Sequence, residues 1–415
     1  MCVWFVFGFV HSGFIVARFD VPPVVRIGLL GAGAFGRHSE GLLVKVGKRQ
    51  SAAAGIAVAA LLGVAACGSD NNSDNASGST PSAAGTSAAT ISCATGSVSG
   101  SGSSAQKNAM DQWVKDYTAK CSGAQIQYAS VGSGAGRNAF IAKQVDFAGS
   151  DSALADPQKA QADAVCTGGS AIDIPTVAGP ITLIYNLSGV STLKLSPSLV
   201  AKIFSGTITK WDDPAIKAEN SGVSLPSTPI QAIHRSDSSG TTDNFSKFMH
   251  GAAPADYPTD HSSDWKAPGG QGAKGSDGVT SVVKSTAGAI GYVEQSYADN
   301  AGLPTAEIKN ANGEYVKPST AAASKGLSSA TVADGNDLKV TFDYSAKVAG
   351  AYPIYLISYE IVCTAGQDPA KAGLVKSFLT YATSDAGQSS IVDVGYAPLP
   401  SSLATKVRGV IATLP

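Results

Sequence analysis

Apolar and polar residues alternate from Pro229 to Ile233, the two-residue period of a strand, and a run of Gly, Ser and Thr follows. That run carries Arg235, Ser239, Gly240 and Thr241, and beyond it Phe245, Phe248 and Met249 recur at helical spacing. The pattern predicts strand, small-residue loop and helix start. A helix start offers free N–H groups, and beside a guanidinium these suit an anion. A capped surface helix with a solvated Arg would give the same local pattern.

Two other stretches repeat the design. Gly100 to Ser104 leads into a predicted helix over 104–120, with Ala105, Ala109, Met110, Trp113, Val114 and Tyr117 on one face. Val131 to Gly136 leads into a second, over 134–144. If the three helix starts face one point, they form a cage of hydroxyls and N–H groups with little net charge, a site for an oxyanion.

Strands over 91–98 and 125–131 alternate with these helices, and Val145 to Asp151 follows as another strand end. Such alternation predicts α/β architecture with mostly parallel sheets, whose ligand sites lie at the carboxyl ends of strands. Asp151 stands at such an end. Two apolar runs containing Pro, over 172–185 and 351–357, are expected to cross between two lobes. Residues 91–177 plus 351–415 would then form lobe I and 178–350 lobe II, with the ligand in a hinged cleft. Within lobe II, Lys210 and Trp211 read as surface and packing, residues 288–293 as a buried strand, and the Gly-rich stretch 269–283 as no Walker loop, because Lys274 precedes Gly275. A helix over 371–381 and a short segment over 399–410 close the chain.

The whole chain has 415 residues, 44% of them hydrophobic and only 15% charged, with a net charge of -1. Two domains fit that length, and no nucleic-acid or polybasic membrane surface is expected. No cofactor and no metal cluster is expected either, and the chain reads as a monomer.

Lys45, Lys48 and Arg49 precede an apolar run from Ala52 to Ala66, which ends in small residues before Cys67. This is the layout of a secretory signal over 45–66 with a lipobox-like end, predicting cleavage before Cys67 and a lipid on its sulfur. Residues 1–44 fit no such layout and read as a mis-called leader. Their Gly31-Ala32-Gly33-Ala34-Phe35-Gly36 matches a dinucleotide fingerprint but lacks the second strand and acidic residue it requires. Residues 67–90 are poor in apolar bulk and read as the lipidated Cys plus a tether with a reach of roughly 25 Å.

Cys93, Cys121, Cys166 and Cys363 remain, an even number suited to an oxidising compartment. Four Cys allow three connectivities; Cys93 with Cys121 and Cys166 with Cys363 is the expected one, the first because only a strand and a helix separate its members.

The ordered series GSGSS, VGSGAG, VDFAGSD, KIFSGTITKWDDPAI, HRSDSSGTTDNF, GAIGYVE and YPIYLISYEIV resembles the phosphate-binding proteins of bacterial ABC phosphate importers, from about Ile91 to the C-terminus. The resemblance implies a two-lobed periplasmic-binding-protein fold of type II, capture of inorganic phosphate, and delivery to the transmembrane subunits of a permease by a lipoprotein on the outer face of the cytoplasmic membrane. By position it places the phosphate ligands on Ser104, Ala105, Ser133, Asp151, Arg235, Ser239, Gly240 and Thr241, with Asp237 orienting Arg235. Relatives often carry Thr and Phe where this chain has Ser104 and Ala105; a hydroxyl and a backbone N–H serve there, so both changes are expected to be tolerated. Asp151 can only accept a hydrogen bond and so requires a protonated ligand, which phosphate is and sulfate is not.

A binder of sulfate, molybdate or tungstate would use the same architecture, against which Asp151 argues. A phosphatase is the enzymatic alternative. The chain has no Gly-x-Ser-x-Gly elbow and no HExxH, and of its five His only His234 lies in a candidate loop.

Overall fold

A computed structural model describes residues 91–415. The expected leader, signal, tether and Cys67 lie outside the described residues.

The first part of the chain runs β1 (Gly96–Gly102), α1 (Lys107–Lys120), β2 (Ala124–Ser130), α2 (Ser133–Ile141), β3 (Phe147–Ser150), α3 (Gln158–Val165) and the long β4 (Ala171–Tyr185). The middle adds β5 (Lys194–Leu195), α4 (Pro197–Phe204), α5 (Pro214–Glu219), β6 (Gln231–Arg235), α6 (Gly240–Ala252), β7 (Gln271–Ala273), α7 (Gly275–Ser285), β8 (Ala289–Glu294) and α8 (Gln295–Ala301). Then come β9 (Glu307–Lys309), β10 (Tyr315–Val316), α9 (Thr320–Leu327), β11 (Thr331–Val332) and β12 (Val340–Thr341). The chain closes with β13 (Tyr355–Cys363), α10 (Pro369–Ala382), α11 (Asp385–Ser390) and α12 (Ser401–Thr413).

Eight strands form one mixed sheet in the order β2-β1-β3-β13-β4-β8-β6-β7. Its two outer portions are parallel, as the alternating pattern predicted: β1 with β2 and β3, and β6 with β7 and β8. The long β4 joins them through antiparallel pairs. Its first part, Ala171 to Pro180, pairs with β13, and Ile181 to Tyr185 pairs with β8. Pro is poorly tolerated inside a central strand because it removes a ladder donor. Here Pro180 sits where β4 changes partner and Pro175 faces Tyr359, beside a register shift in the β13 pairing.

Each portion has its own core. Trp113, Tyr117, Phe147, Ile174, Tyr359 and Phe378 are buried in one, with α1, α10 and α12 packed on the sheet. Phe204, Trp211, Phe245, Phe248 and Tyr292 are buried in the other. Trp211 Nε1 donates to Gly288 O at 2.9 Å, so this residue packs as expected while Lys210 is exposed. The segment from α9 to β12 folds back onto the first core, where Ala323, Leu327 and Leu338 are buried. Leu338 N donates to Asp173 O at 3.1 Å, and Asp173 N to Asp337 Oδ1 at 2.8 Å.

The first strand corrects the sequence reading. It was expected over 91–98 with a loop from Gly100, yet it runs from Gly96 to Gly102. Gly102 has φ +147, and a Cβ there would lie 1.9 Å from Gly149 O, so glycine serves a close approach of two strands rather than a turn. The first helix accordingly begins at Lys107 instead of Ser104. Two disulfides, Cys93–Cys121 and Cys166–Cys363, have the expected connectivity. Among the described residues no helix is long and apolar enough to cross a membrane.

Candidate functional site

Asp151 follows the last residue of β3 and is buried, 3% exposed. Its Oδ1 accepts from the Ser103 and Ser358 hydroxyls, both at 2.6 Å, and its Oδ2 from Ser133 Oγ at 3.1 Å. Burial raises the carboxyl pKa, while the hydroxyls of Ser103, Ser358 and Ser133 and the charge of Arg235 work in the opposite direction. The neighbouring chain comes very close: a Cβ on Gly240 would lie 2.5 Å from Asp151 Cβ. Only glycine fits there.

Ser133 opens α2 and links three groups. Besides donating to Asp151 it accepts from Asp151 N at 3.2 Å and from Gly240 N, at the start of α6, at 3.1 Å. Ser239 caps α6 by accepting from Thr242 N at 3.2 Å, a standard way to satisfy a helix's first N–H groups. Thr241 is fully buried, and its hydroxyl donates to Glu294 Oε1 at 2.7 Å.

Arg235 is the last residue of β6, not a loop residue as the sequence pattern had it, and is 1% exposed. Its Nε donates to Asp237 Oδ1 at 2.8 Å and its Nη2 to Asp237 Oδ2 at 2.5 Å, a bidentate pair that orients the guanidinium. Burial opposes both charges. The pairing nevertheless raises the Arg235 pKa and lowers that of Asp237, so both stay ionised. The remaining Nη1 lies 3.4 Å from Ser276 Oγ.

Ser104 Oγ stands 3.1 Å from Ser276 Oγ and accepts from Ser276 N at 3.2 Å. Ala105 is fully buried and its N–H donates to Ser103 Oγ at 2.9 Å. The positions named from the resemblance fall into two hydrogen-bonded groups: Ser133, Asp151, Gly240 and, through Ser103, Ala105 form one, and Ser104, Arg235 and Thr241 are linked through Ser276 and Glu294 in the other, while Ser239 bonds to Thr242 N, Asp243 N and Ser263. A cavity of about 560 Å³ reaches Asp151 from the side of Arg137, Asp243 and Tyr344, and Arg235 is not among its lining residues.

Sequence reasoning missed four polar residues here. Ser276 is the second residue of α7, which follows strand β7 after Lys274 alone, a strand-to-helix junction like the three units recognised but without their small-residue loop. Glu294 ends the apolar strand β8, where a buried acidic residue was a usable signal. Ser103 lies one position before the residue singled out. Ser358 had no signal, because only the antiparallel pairing of β13 with β3, with Tyr359 opposite Ser150, sets it against Asp151. His234 is stacked on Trp265, ring centroids 5.0 Å apart, and its Nδ1 lies 2.9 Å from Arg235 O.

Two α/β portions joined by crossing strands, with a buried polar site at the ends of strands from both, are the architecture of a solute-binding protein. A pattern described as "PBP superfamily domain" matches residues 84–386. The "Phosphate-binding protein PstS 3" of Mycobacterium leprae is 40% identical over 357 residues, covering 85% of this chain and 95% of that protein. The "Phosphate-binding protein PstS" of Xylella fastidiosa is 32% identical over 320 residues, 74% of this chain and 83% of that one. The chain belongs to the PstS family of phosphate-binding proteins.

Solved structures show the same fold. A high-affinity periplasmic phosphate-binding protein bound with phosphate aligns with a TM-score of 0.62 at 24% identity, covering 76% of this chain and 93% of the other. A phosphate-binding protein from Stenotrophomonas maltophilia aligns at 0.60 and 22%, with 76% and 93% covered.

Proposed function

We propose that this protein captures inorganic phosphate between lobe I, residues 91–177 plus 351–415, and lobe II, residues 178–350, whose α9 to β12 segment covers the first core. The ligands are the hydroxyls and N–H groups of Ser104, Ala105, Ser133, Ser239, Gly240 and Thr241, the guanidinium of Arg235 and the carboxylate of Asp151, with Asp237 holding Arg235. One observation carries the reading: an acceptor-only carboxylate, Asp151, buried among hydroxyls and within the influence of the Arg235 charge. A carboxylate in a water-poor site repels a fully ionised oxyanion and accepts from a protonated one, so phosphate is taken and sulfate refused. The hydroxyls that now bond to Asp151 and to each other turn toward the ligand when it enters.

The function of the whole chain follows from its exported layout. Cys67 carries the lipid, the tether holds the domain above the outer face of the membrane, and the loaded protein delivers phosphate to the transmembrane subunits of an ABC permease. Calorimetric titration with phosphate and with sulfate tests the binding reading. Binding of phosphate alone supports it; binding of sulfate with equal affinity, or of neither, overturns it. Turnover of an aryl phosphate would favour the phosphatase alternative. Retention of a Cys67→Ser protein in the membrane fraction would overturn the anchor.

A further inference from the structure

The end of β1 and the turn into α1 consist of Gly100, Ser101, Gly102, Ser103, Ser104 and Ala105, with no large side chain to pack the backbone in place. Hydrogen bonds hold it instead. The hydroxyl of Tyr297, on α8, donates to Ser104 O at 2.7 Å, and that of Tyr396, ahead of α12, donates to Ala105 O at 2.6 Å. Lys107 N adds a longer bond to Ser104 O at 3.3 Å. Both phenols are buried, and burial raises their pKa, so both stay protonated and remain donors.

The two bonds differ in what they join. Tyr396 and Ala105 both belong to lobe I in the division proposed above, so their bond is made within one lobe. Tyr297 belongs to lobe II and Ser104 to lobe I. That bond spans the cleft and is lost when the lobes part.

A peptide group is planar and trans, so its carbonyl and its N–H point in opposite directions. The carbonyl of Ser104 and the N–H of Ala105 share one such group. A phenol that holds the oxygen from one side therefore aims the N–H to the other, where Ala105 N meets Ser103 Oγ at 2.9 Å beside the Asp151 carboxyl. Donation to the carbonyl also polarises the group, which strengthens its N–H as a donor.

We propose that Tyr297 is a positioning residue for phosphate: reaching over from lobe II, its phenol fixes and polarises the peptide group whose N–H, that of Ala105, bonds the captured ion. This rests on the phosphate reading above and adds to it a residue that touches no ligand. A phosphate oxygen takes the place of Ser103 Oγ as acceptor of that N–H. Phosphate meets the open lobes before Tyr297 reaches Ser104, so the bond slows release and leaves the rate of capture as it is.

The test is the exported protein and its Tyr297→Phe variant, each loaded with radiolabelled inorganic phosphate and chased with unlabelled phosphate. One neutral hydrogen bond corresponds to a change of about two- to tenfold, so the variant is expected to release phosphate faster by that factor. Its association rate, from the release rate and a phosphate titration, and its melting temperature without phosphate are expected to match the parent's. In the phosphate-loaded protein the Ala105 amide proton resonance is expected to move upfield in the variant, as a less polarised N–H makes a weaker bond. Release as slow as the parent's, or faster release with an unmoved Ala105 resonance, overturns the proposal. So does a ligand-free variant that melts well below the parent or does not fold, since the phenol then serves the fold. A parent that binds no phosphate overturns the phosphate reading itself, a result distinct from binding with unchanged release.

Discussion

Ser358 donates to Asp151 at 2.6 Å across 207 positions of sequence. The contact ties the second crossing strand to the acid proposed to discriminate between ligands. Ser103 reaches the same oxygen, also at 2.6 Å, and Ser133 the other at 3.1 Å, so three elements hold the carboxylate in place.

Asp151→Asn supplies an amide donor where only an acceptor stood. Phosphate binding is expected to weaken modestly and exclusion of sulfate to weaken much more, because the unpaired acceptor and the like charge both disappear. Competition calorimetry between the two ions measures this. Unchanged exclusion of sulfate would remove Asp151 from its role.

Arg235→Ala takes away the buried cation. A charge-assisted hydrogen bond is worth about 1.5–3 kcal/mol, so affinity for phosphate and every other oxyanion bound is expected to drop by about one to two orders of magnitude. The variant also leaves Asp237 without its bidentate partner. A phosphate titration matching the parent protein would contradict the assignment.

Asp173 predicts a stability trend with pH. It is fully buried, and burial together with the nearby Asp337 raises its pKa to about 8. The folded value thus lies above that of an unfolded Asp, near 4, so over the interval between them the unfolded chain binds fewer protons and stability falls as pH rises. Asp173→Asn abolishes this penalty while keeping a hydrogen-bonding side chain against Leu154 N. Relative to the parent, its melting temperature is expected to rise between pH 5 and pH 8, a gain of at least about 1 kcal/mol at the upper end. Parallel melting curves at both pH values would show that Asp173 titrates normally.

The disulfides differ in what they constrain. Cys93–Cys121 closes a separation of 28 residues and Cys166–Cys363 one of 197. Loop-closure entropy gives about 3.5 kcal/mol for the first and about 5 kcal/mol for the second. Replacing both members of the longer pair by Ser should lower the denaturation midpoint more than replacing the shorter pair, as measured by chemical unfolding. Equal losses would indicate that strain or residual structure, rather than chain entropy, dominates.

Local signals were legible in the sequence because they depend on neighbours along the chain. Alternation marked β6, helical spacing marked α1 and α6, and small residues before helix starts marked three of the site's loops. The Pro-containing apolar runs marked the crossing segments, though not their partners. The glycines of β1 misled, since Gly102 serves contact with Gly149 and not a turn.

By itself, the sequence determined the alternating elements, the two lobes' worth of apolar runs and an anion-suited set of residues, because periodicity and helix-start chemistry are local properties. Only the tertiary structure decided which distant side chains share a proton or a charge. Ser358 lies opposite Asp151 because β13 pairs antiparallel with β3, and Glu294 at the end of β8 and Ser276 on the helix after β7 come together from either side of β6. Neither register nor adjacency of strands is set by any single stretch of chain; both follow from how the whole sheet packs.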